Sequence, residues 1–597
     1  MPIFYNKKSR QGLPMNSPGS AVARLCRQKG IQHVVISPGS RSGPLTVGFA
    51  RCEGITVHIS LDERSAGYLA LGIAQQSKTV VTLVCTSGTA SLNYSPAIAE
   101  AYYQHVPLLV ITADRPPEWI DQQDGQAIHQ PDVYAQHCKK CFNLPVDTSH
   151  KDGRWHFFRS VSEAVNLAEE GPKGPVQINI PIREPFYDAL LQEGLPVLPP
   201  GRTIETVAAD LVLAPQIRER LRKDVGSAQR ILLLAGQARY SEHLRILLQQ
   251  LAAVDRVVVG DILANLHGVE GIIHITDGLL DTPDLGPATA IDLLISFGQS
   301  VLSKKLKNFL RSCQIEQHWH IQPYGEAADT FQKLTRVIRL EPADFIENIL
   351  GHPRGQEDRD KDDRKFIQTW QLLGKKSAQV VHDFFRNSQV ELSSGEFRAV
   401  FSAIKALPRD TVLHLGNSMT VRYASLAGIG KEVAEVFSNR GTSGIDGCLS
   451  TALGHALADP KRPHWLLIGD IAFFYDRNAL WRTSWPEEKL PVNLTIIVLN
   501  NHGGGIFNML PGARDLPEAE KYFVCAHSQN AKNTAEDSGL EYICCSSDVS
   551  PEFFTQLAAR IPNKPRLVEI LKRVTALRLP LFGQARLAAI APLCGGS

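Results

Sequence analysis

Short apolar runs recur along the whole chain, and stretches with the apolar spacing of helices separate them. Runs that are apolar on both faces are typical of strands inside parallel sheets, because helices cover both faces of such sheets. The clearest runs are His33–Ile36, Ile55–Ile59, Val80–Val84, Leu108–Thr112, Ile231–Leu234, Val257–Val259, Leu293–Ile295, Val412–Leu415, Leu466–Ile468 and Thr495–Leu499. The pattern predicts an α/β protein built from parallel sheets.

Two segments that lack this alternation predict the domain boundaries. Paired prolines end an apolar run in Leu195–Gly201, and a dense run of mixed charge over His352–Lys365 cannot bury a face. With 597 residues, the chain is long enough for several domains. We therefore predict three parallel-sheet domains, over residues 1–195, 202–351 and 366–597.

Charge and apolar content exclude some partners and compartments. The net charge of +2 predicts binding neither to nucleic acid nor to an anionic membrane surface. The chain has no uninterrupted apolar run of about 18 residues, so no membrane-spanning helix is expected. Near the N-terminus, Lys7, Lys8 and Arg10 are not followed by the apolar run of a secretory signal. This favours a cytoplasmic location.

The eleven cysteines form no repeating frame. Cys138-Lys-Lys-Cys141 could be half of a zinc site or a redox pair, but no second pair at zinc spacing follows it. Free thiols in a reducing compartment are the favoured interpretation.

Polar and glycine-rich motifs follow many of the predicted strands. Ligands of parallel α/β sheets bind just beyond the carboxyl ends of the strands, so these motifs are the candidate functional positions. They are Ser37–Ser42, Cys85–Thr89, Ala113–Pro117, Gly416–Ser418, Ser438–Gly441, Gly469–Asp470 and Asn500–Gly505.

Asp470 and Asn501 predict a metal site. Each follows a predicted strand, and one strand–helix–strand crossover separates the two strands, so the side chains should lie side by side. Carboxylate, amide and backbone carbonyl oxygens suit Mg²⁺, and glycines 503–505 would let the backbone approach the ion. His502-Gly-Gly-Gly505 is also typical of an esterase oxyanion loop, but no Gly-x-Ser-x-Gly nucleophile motif accompanies it. The chain also has no phosphate-binding loop of the kinase type.

The two halves of this metal motif resemble the fingerprint of thiamine-diphosphate enzymes, Gly-Asp-Gly followed by Asn-Asn. Ile471 replaces the last glycine of the first half, a position that is not a ligand in the family. The resemblance implies thiamine diphosphate as cofactor, and Mg²⁺ or Mn²⁺ bound by Asp470, Asn501 and the carbonyl of Gly503. It also implies that Gly416, Ser418 and Gly469 contact the cofactor.

A carboxylate that activates the cofactor is also implied by the resemblance. In thiamine-diphosphate enzymes a glutamate after the second strand hydrogen-bonds the aminopyrimidine ring, and Glu63 in Leu61-Asp-Glu-Arg-Ser65 matches that position. The alternative is a carboxylate that only stabilises the first turn of a helix. Asp62 is the second candidate for the same role.

Four strand-end motifs narrow the resemblance to one family. They are Pro38-Gly-Ser-Arg-Ser42, Thr112-Ala-Asp-Arg-Pro-Pro-Glu118, Gly416-Asn-Ser418 with Arg422, and Ser438-Asn-Arg-Gly-Thr-Ser-Gly-Ile-Asp446. Together they resemble the 2-succinyl-5-enolpyruvyl-6-hydroxy-3-cyclohexene-1-carboxylate synthases of menaquinone and phylloquinone biosynthesis. The resemblance implies that 2-oxoglutarate loses CO2 and that the succinyl carbanion adds to isochorismate in a 1,4-addition.

Both implied substrates are dicarboxylates, and the chain offers arginines at strand ends to bind them. The resemblance assigns the 2-oxoglutarate-derived group to Ser418, Arg422 and Arg440. It assigns isochorismate to Ser40, Arg41, Arg115, Gln126 and Lys304. Lys304 could equally lie on a solvated helix face. Lys305 and Gly125 depart from the family pattern, which affects the isochorismate side.

Apolar residues and a second chain complete the implied site. Ile445 matches the wedge that bends the cofactor, and Ile506 and Phe507 match the apolar wall, although simple core packing would explain all three. The family places each site between the first domain of one chain and the third domain of another. A homodimer or homotetramer is therefore implied, and the middle domain, which lacks a dinucleotide fingerprint, is expected to bind no flavin.

Two other functions remain open on the sequence. An acetolactate-synthase-like enzyme or a 2-oxoacid decarboxylase would use the same cofactor without isochorismate. A regulatory module would bind a nucleotide or an acidic metabolite without turnover. The presence of Glu63, Asp470 and Asn501 together argues against the regulatory module.

Overall fold

The computed structural model has two compact units. The first comprises Met1–Val207 with Asn478–Lys489, and the second comprises Ala208–Arg477 with Leu490–Ser597. The structure describes residues 18–184, 202–254, 256–274, 277, 286–351, 361–386, 395–481, 488–510, 512–546 and 549–571. The predicted linker over 195–201, residues 352–360 of the second linker and the basic N-terminal stretch lie outside the described residues.

The first unit contains a six-stranded sheet in which all strands are parallel. Its strand order is β2-β1-β3-β4-β6-β5. The strands are β1 (His33–Ile36), β2 (Thr56–Ile59), β3 (Val81–Cys85), β4 (Leu108–Asp114), β5 (Cys141–Asn143) and β6 (Val176–Pro181). The helices are α1 (Pro18–Gln28), α2 (Gly43–Ala50), α3 (Glu63–Ser77), α4 (Thr89–Asn93), α5 (Ser95–Tyr103) and α6 (Lys151–Glu169).

Helices bury the first sheet, which explains its continuous apolar strands. Leu25 of α1 and Val161 of α6 pack in one core cluster with Val34, Ile36 and Ile111 of the strands. All of β3 and β4 is buried. Burial of each large aliphatic side chain contributes about 1.5–3 kcal/mol, so the helices and the sheet stabilise one another.

The second unit contains two further parallel sheets. The middle sheet has the order β11-β10-β9-β7-β8. Its strands are β7 (Ile231–Ala235), β8 (Val257–Gly260), β9 (Ala290–Phe297), β10 (Gln314–Ile321) and β11 (Leu334–Ile338). The helices of this part are α7 (Pro215–Ser227), α8 (Glu242–Ala253), α9 (Lys304–Ser312) and α10 (Pro342–Phe345).

The third sheet repeats the strand order of the first. That order is β13-β12-β14-β15-β17-β16, again with all strands parallel. The strands are β12 (Thr411–Leu415), β13 (Val433–Phe437), β14 (His464–Gly469), β15 (Leu494–Asn500), β16 (Glu541–Ser546) and β17 (Arg566–Leu571). The helices are α11 (Lys361–Arg386), α12 (Gly395–Lys405), α13 (Met419–Ala427), α14 (Cys448–Ala458), α15 (Asp470–Asp476), α16 (Lys532–Asp537) and α17 (Pro551–Ala559).

The strand orders locate the crevice in which each sheet can bind a ligand. Such a crevice opens where the order reverses, between β1 and β3, between β7 and β9, and between β12 and β14. In the middle sheet, backbone hydrogen bonds join the two loops at this point, from Gly236 N to Phe297 O at 2.9 Å and from Gln299 N to Gln237 O at 2.8 Å. The crevices of the first and third sheets are lined by the predicted motifs.

Helix α11 begins inside the segment that the sequence predicted to be a linker. The helix starts at Lys361, and Asp363 is only 4% exposed. Phe366 and Trp370 pack in the core of the middle sheet, whereas Phe384 near the other end of α11 packs in the core of the third sheet. Asp363 is therefore buried within a segment that was expected to bury no face, because one long helix contributes to two cores. The domain boundaries themselves stay predictions.

The α/β class with three parallel sheets is confirmed. Every predicted strand is present, and each end differs from the prediction by two residues at most, except the start of β9, which lies three residues earlier. The prediction missed β5, β6, β10, β11, β13, β16 and β17. Among the described residues, no helix combines the length and the apolarity that a membrane crossing requires. The ten cysteines that the structure describes are all free, including Cys138 and Cys141.

Candidate active site

Asp470 lies at the carboxyl end of β14, at the crevice of the third sheet. It is 3% exposed, its Oδ1 accepts the Ile471 N–H at 2.7 Å, and its Oδ2 accepts the Gly503 N–H at 3.0 Å. Burial raises the pKa of the Asp470 carboxyl above its usual range, although the Ile471 N–H and the nearby His527 oppose this shift. A buried carboxylate of this kind is stabilised by a cation.

The loop after β15 brings Asn501 beside Asp470. The Gly503 N–H donates to Asn501 Oδ1 and to Asp470 Oδ2, each at 3.0 Å, so both oxygens surround one nitrogen. His502 has the left-handed φ of 63° that this tight turn needs. A Cβ on Gly505 would lie 2.9 Å from Asn501 Nδ2, which explains why this position is glycine. The structure thus places the two predicted metal ligands together.

The donor set fits a hard cation. Within the described residues, no group of three or more His, Cys, Asp or Glu side chains could hold a metal ion. A cation here would depend on one carboxylate, one amide oxygen and backbone carbonyls, as Mg²⁺ accepts with phosphate and water completing its shell. The residues present therefore fit the divalent cation that the resemblance implies.

His527 is a neighbour of the metal ligands that the sequence did not reveal. Its Nε2 lies 3.3 Å from Asp470 Oδ2, and its ring meets Phe474 and His502 edge-on, with centroids 5.6 and 5.7 Å away. Its backbone N–H donates to His502 O at 2.9 Å, which ties the two loops together. No strand precedes His527 directly, so the strand-end criterion could not find it.

The loop after β12 carries the predicted oxoacid residues. Ser418 has a φ of 72°, and Arg422 in the next helical turn donates to Ser418 O. Partial burial lowers the pKa of the Arg422 guanidinium, although the residue as a whole is exposed. Gly416 faces β14, where an added Cβ would lie 3.1 Å from Ile468 Cα. The loop is therefore closely packed on the strand that leads to Asp470.

Asn417 connects this loop to Arg440 and was missed as a site residue. It is 2% exposed and donates from Nδ2 to Asn439 O at 2.7 Å and to Gly444 O at 2.6 Å. Its Oδ1 accepts from Arg440 Nη1 at 3.0 Å. Hydrogen bonds of Asn417 and Arg422 thus connect Ser418, Arg422 and Arg440 at the same edge of the third sheet. Asn417 belongs to the predicted strand-end motif Gly416–Ser418. Its amide is buried, however, and only the tertiary structure shows that burial.

The predicted apolar residues are only partly buried. Ile445, Ile506 and Phe507 are all intermediate in exposure, and none belongs to the core cluster of the third sheet. The Phe507 ring lies 5.5 Å from that of Phe523. Simple core packing therefore does not account for these side chains.

Helix α9 of the middle part approaches the arginines of the third sheet. Lys304 is its first residue, is exposed, and follows Ser303, whose Oγ caps the helix by accepting the Leu306 N–H at 2.9 Å. Three residues on, burial and the charges of Arg440, Arg311 and Arg422 lower the pKa of Lys307. The helix thus presents Lys307, which the sequence did not single out, toward Arg422 and Arg440.

Glu63 lies in the first unit, at the start of α3 and beyond β2. Asp62 caps this helix, with Oδ1 accepting the N–H groups of Arg64 at 2.9 Å and Ser65 at 3.3 Å, and Oδ2 accepting from Asn478 at 2.8 Å. Glu63 is half-buried, and its Oε2 is 3.4 Å from Asn93 Nδ2. Its charge adds to burial in raising the pKa of the Cys85 thiol. The helix cap therefore uses the Asp62 carboxylate, and the Glu63 carboxylate remains available for another role.

Arg41 and Arg115 of the first unit converge on one carboxylate. Arg41 donates to Ile182 O at 2.8 Å and to Glu184 Oε1 at 2.7 Å, and Arg115 Nη1 lies 3.9 Å from the same Glu184 oxygen. Burial and the charge of Arg115 lower the pKa of Arg41. The two cations are thus close together, and Glu184, which the sequence analysis missed, is 64% exposed beside them.

The remaining residues predicted for isochorismate lie on loops of the same unit. Arg115 Nε donates to Gly125 O at 2.8 Å, which places the following residue, Gln126, near Arg115. Gln126 has a φ of 57° and packs on Gly88, where an added Cβ would lie 3.1 Å from Gln126 Cα. Ser40 is exposed, on the loop that leads to Arg41. The structure therefore groups Ser40, Arg41, Arg115 and Gln126 in the first unit, whereas the fifth predicted residue, Lys304, belongs to the second unit.

Two family models match parts of the chain. Residues 17–135 match the model of the thiamine pyrophosphate enzyme N-terminal TPP binding domain, and residues 222–415 match that of the middle domain of thiamine pyrophosphate enzymes.

Curated relatives from three bacteria match most of the chain. The protein from Cytophaga hutchinsonii is 41% identical, over 88% of this chain and 90% of its own length. Those from Christiangramia forsetii and Bacteroides thetaiotaomicron are 35% and 34% identical, over 92% of this chain and 95% and 92% of their own lengths. All three are named 2-succinyl-5-enolpyruvyl-6-hydroxy-3-cyclohexene-1-carboxylate synthase. The chain belongs to this family of thiamine-diphosphate enzymes.

Proposed function

We propose that the protein makes 2-succinyl-5-enolpyruvyl-6-hydroxy-3-cyclohexene-1-carboxylate and CO2 from 2-oxoglutarate and isochorismate, as a transferase of menaquinone or phylloquinone biosynthesis. The observation that carries the proposal is the third-sheet crevice. There, the oxygens of Asp470 and Asn501 converge at 3.0 Å on one N–H, and Asn417 connects the loop of Ser418 to Arg440. A candidate site for a cation and a candidate site that binds a substrate carboxylate thus lie at the same edge of the third sheet.

The metal ligands would be Asp470, Asn501 and the carbonyl of Gly503, around Mg²⁺ or Mn²⁺. Thiamine diphosphate, when bound, supplies the electron sink for the loss of CO2. Gly416, Ser418 and Gly469 would contact it, with Ile445, Ile506 and Phe507 as its apolar surroundings. The partial exposure of these three apolar side chains supports this role. An apolar wall also excludes water and strengthens the electrostatic interactions of nearby charges.

Glu63 would accept or donate the proton at the aminopyrimidine ring. Its neighbour Asp62 uses both carboxylate oxygens, one in the helix cap and one with Asn478. This difference supports Glu63 as the carboxylate that contacts the cofactor. A general acid–base group of this kind contributes roughly 10²–10⁴-fold to a rate.

Two sets of cations would bind the two dicarboxylates. Ser418, Arg422 and Arg440 would hold the 2-oxoglutarate-derived group, and Ser40, Arg41, Arg115, Gln126 and Lys304 would hold isochorismate. The burial of Arg41 and the lowered pKa of its guanidinium support its part in this division, because poorly solvated cations gain most from a carboxylate partner. Glu184, which is exposed, would have to yield its place to a substrate carboxylate.

We also propose a homodimer or homotetramer in which Glu63 of one copy meets Asp470 of another. The duplicated strand order of the first and third sheets fits such an arrangement, since each sheet has its own strand-end crevice. The ten free cysteines among the described residues fit a reducing compartment, and we place the protein in the cytoplasm.

The test is a reaction with purified protein, Mg²⁺, thiamine diphosphate, 2-oxoglutarate and isochorismate. We expect the absorbance of isochorismate to fall only when all components are present. Consumption of 2-oxoglutarate without isochorismate would instead indicate a 2-oxoacid decarboxylase, and a requirement for pyruvate would indicate an acetolactate-synthase-like enzyme. Cofactor binding without any turnover would indicate the regulatory module.

A further inference from the structure

The Asn501 side chain can serve as a metal ligand in only one of its two orientations. Its amide ends in one oxygen, which can bind a cation, and in one NH2 group, which cannot. The two orientations have nearly the same shape, so neighbouring groups must select between them. The residue that makes this selection determines whether the cation site is complete.

Glu396 contacts the NH2 group of Asn501. It is the second residue of α12, more than a hundred positions before Asn501, and it is 8% exposed. Its Oε1 accepts from Asn501 Nδ2 at 2.6 Å. Its Oε2 accepts from the hydroxyl of Tyr423 at 3.3 Å, on the helix that also carries Arg422. Glu396 therefore joins the metal loop to the helix of the oxoacid site.

The charge of the Glu396 carboxylate strongly favours one of the two orientations of the Asn501 amide. An ionised carboxylate only accepts hydrogen bonds, so the NH2 group must face Glu396. On the other side, the Gly503 N–H only donates and lies 3.0 Å from Asn501 Oδ1. A flipped amide would set oxygen against carboxylate and NH2 against N–H. Burial and the Glu396 charge also raise the pKa of Tyr423, which keeps its hydroxyl as a donor.

The preceding asparagine has the same kind of arrangement. Asn500 Nδ2 donates to Glu569 Oε1 at 2.7 Å, and Asn500 Oδ1 accepts the His502 N–H at 3.1 Å. Glu569 is fully buried and also accepts from Ala531 N and the Tyr542 hydroxyl. In both asparagines, a distant carboxylate holds the NH2 group and a loop N–H holds the oxygen. The arrangement is therefore a repeated feature of this loop.

We propose that Glu396 is a positioning residue for the cation: it holds Asn501 with its amide oxygen toward Asp470 and the carbonyl of Gly503. The inference rests on the proposed function, since it assumes a divalent cation between these ligands. Groups that orient metal ligands typically change metal affinity about 10–100-fold when they are replaced. Glu396 itself does not touch the cation in this role.

The test measures Mn²⁺ binding to the full chain in the presence of thiamine diphosphate, from the electron paramagnetic resonance signal of free Mn²⁺. Glu396→Gln can present either an oxygen or an NH2 group to Asn501, so the selection is lost. We expect the Kd for Mn²⁺ to rise about tenfold, with turnover restored at saturating Mg²⁺ and an unchanged circular dichroism spectrum. Restoration by excess metal distinguishes positioning from a general structural role.

Glu552→Gln is the matched control. Glu552 is also the second residue of a helix, α17, but it is exposed, whereas Glu396 is buried and contacts Asn501. Its substitution should leave the Kd for Mn²⁺ and the turnover unchanged. An equal weakening of Mn²⁺ binding by both substitutions would contradict the specific role of Glu396.

A reciprocal exchange keeps the test valid if Glu396→Gln folds poorly. Asn501→Asp alone places two carboxylates side by side. When Glu396→Gln is added, the glutamine amide can donate a hydrogen bond to the new aspartate, so the donor and the acceptor exchange positions. The double variant should unfold at a higher urea midpoint than Asn501→Asp alone, because it removes the repulsion between two buried carboxylates. No difference between these two, or an unchanged Kd in Glu396→Gln, overturns the inference. If the unmodified protein fails to bind Mn²⁺ with thiamine diphosphate, the proposed function itself is wrong.

Discussion

Two adjacent carboxylates at the start of α3 have different surroundings, and this difference yields a test. Asp62 caps the helix through Oδ1, whereas Glu63 is half-buried with one long contact to Asn93. Glu63→Gln keeps the shape and removes the charge and the titratable proton. We expect thiamine diphosphate to bind, as followed by tryptophan fluorescence, and turnover to fall by about 100-fold or more.

Asp62→Asn is the companion variant, because asparagine caps helices about as well as aspartate does. It should retain turnover within a small factor and change the free energy of unfolding little. If Asp62→Asn loses turnover while Glu63→Gln keeps it, then Asp62 is the activating carboxylate.

The arginines of the two units should separate the two substrates. Arginine binds a carboxylate through a planar pair of N–H groups, which lysine cannot reproduce. Arg440→Lys should raise the KM for 2-oxoglutarate roughly tenfold, and Arg115→Lys should raise the KM for isochorismate by a similar factor. Steady-state kinetics with each substrate varied in turn measures both effects. A rise in the same KM for both variants would contradict the assignment.

At the scale of an element, the loop after β15 depends on close backbone approach. An added Cβ on Gly505 would lie 2.9 Å from Asn501 Nδ2, so Gly505→Ala should push the amide away from the cation site. We expect Mn²⁺ binding to weaken roughly tenfold. Gly430→Ala is the control, because an added Cβ there meets nothing within 4 Å. Equal Mn²⁺ affinities in the two variants would show that the loop tolerates the displacement.

The strands that the sequence analysis missed are partly exposed or carry buried polar side chains. Strands β5, β11, β13 and β16 lie at or beside sheet edges and have few fully buried residues. Strand β6 is buried but carries Gln177 and Asn179, whose amides bond Thr112 and Asp114 on the neighbouring strand. Buried polar pairs break the apolar run while they satisfy each other. Such strands are visible only once the partners are placed.

For the molecule as a whole, buried histidines predict lower stability in acid. His414, His455 and His464 lie in the core of the third sheet, and burial lowers the pKa of each, to about 4 for His464. The unfolded chain takes up these protons below about pH 6.5, whereas the folded protein takes them up only at lower pH, near 4 for His464. Stability is therefore full above about pH 6.5 and falls as the pH drops toward 4.

Each such histidine removes up to about 1.4 kcal/mol of stability per pH unit in that window. His267, His274 and His318, each with a pKa lowered to about 4 by burial, act in the same direction. Asp261, whose pKa burial raises to about 6, opposes the trend between about pH 4 and 6 as a single group. Urea unfolding at pH 7.5 and 5.0 should give a clearly lower midpoint at pH 5.0. Equal midpoints would contradict this prediction.

Mixing two inactive variants tests whether one site uses two copies of the chain. Glu63→Gln and Asp470→Asn should each be inactive as homo-oligomers. In a mixed dimer, one site would contain both unmodified residues, so about a quarter of all sites should regain activity after equal mixing with subunit exchange. No recovery, despite mixed dimers seen by mass spectrometry, would place Glu63 and Asp470 of one chain in the same site.

The sequence by itself predicted ten of the seventeen described strands, the cofactor class and candidate positions for its ligands along the chain. These properties are local: an apolar run makes a buried strand, and the residue after it lies at the binding edge. Only the tertiary structure decided which distant groups meet there, such as Glu396 on Asn501 and Asn417 on Arg440. Hydrogen-bond partners across long stretches of chain depend on how whole helices and sheets pack, and no local pattern specifies that packing.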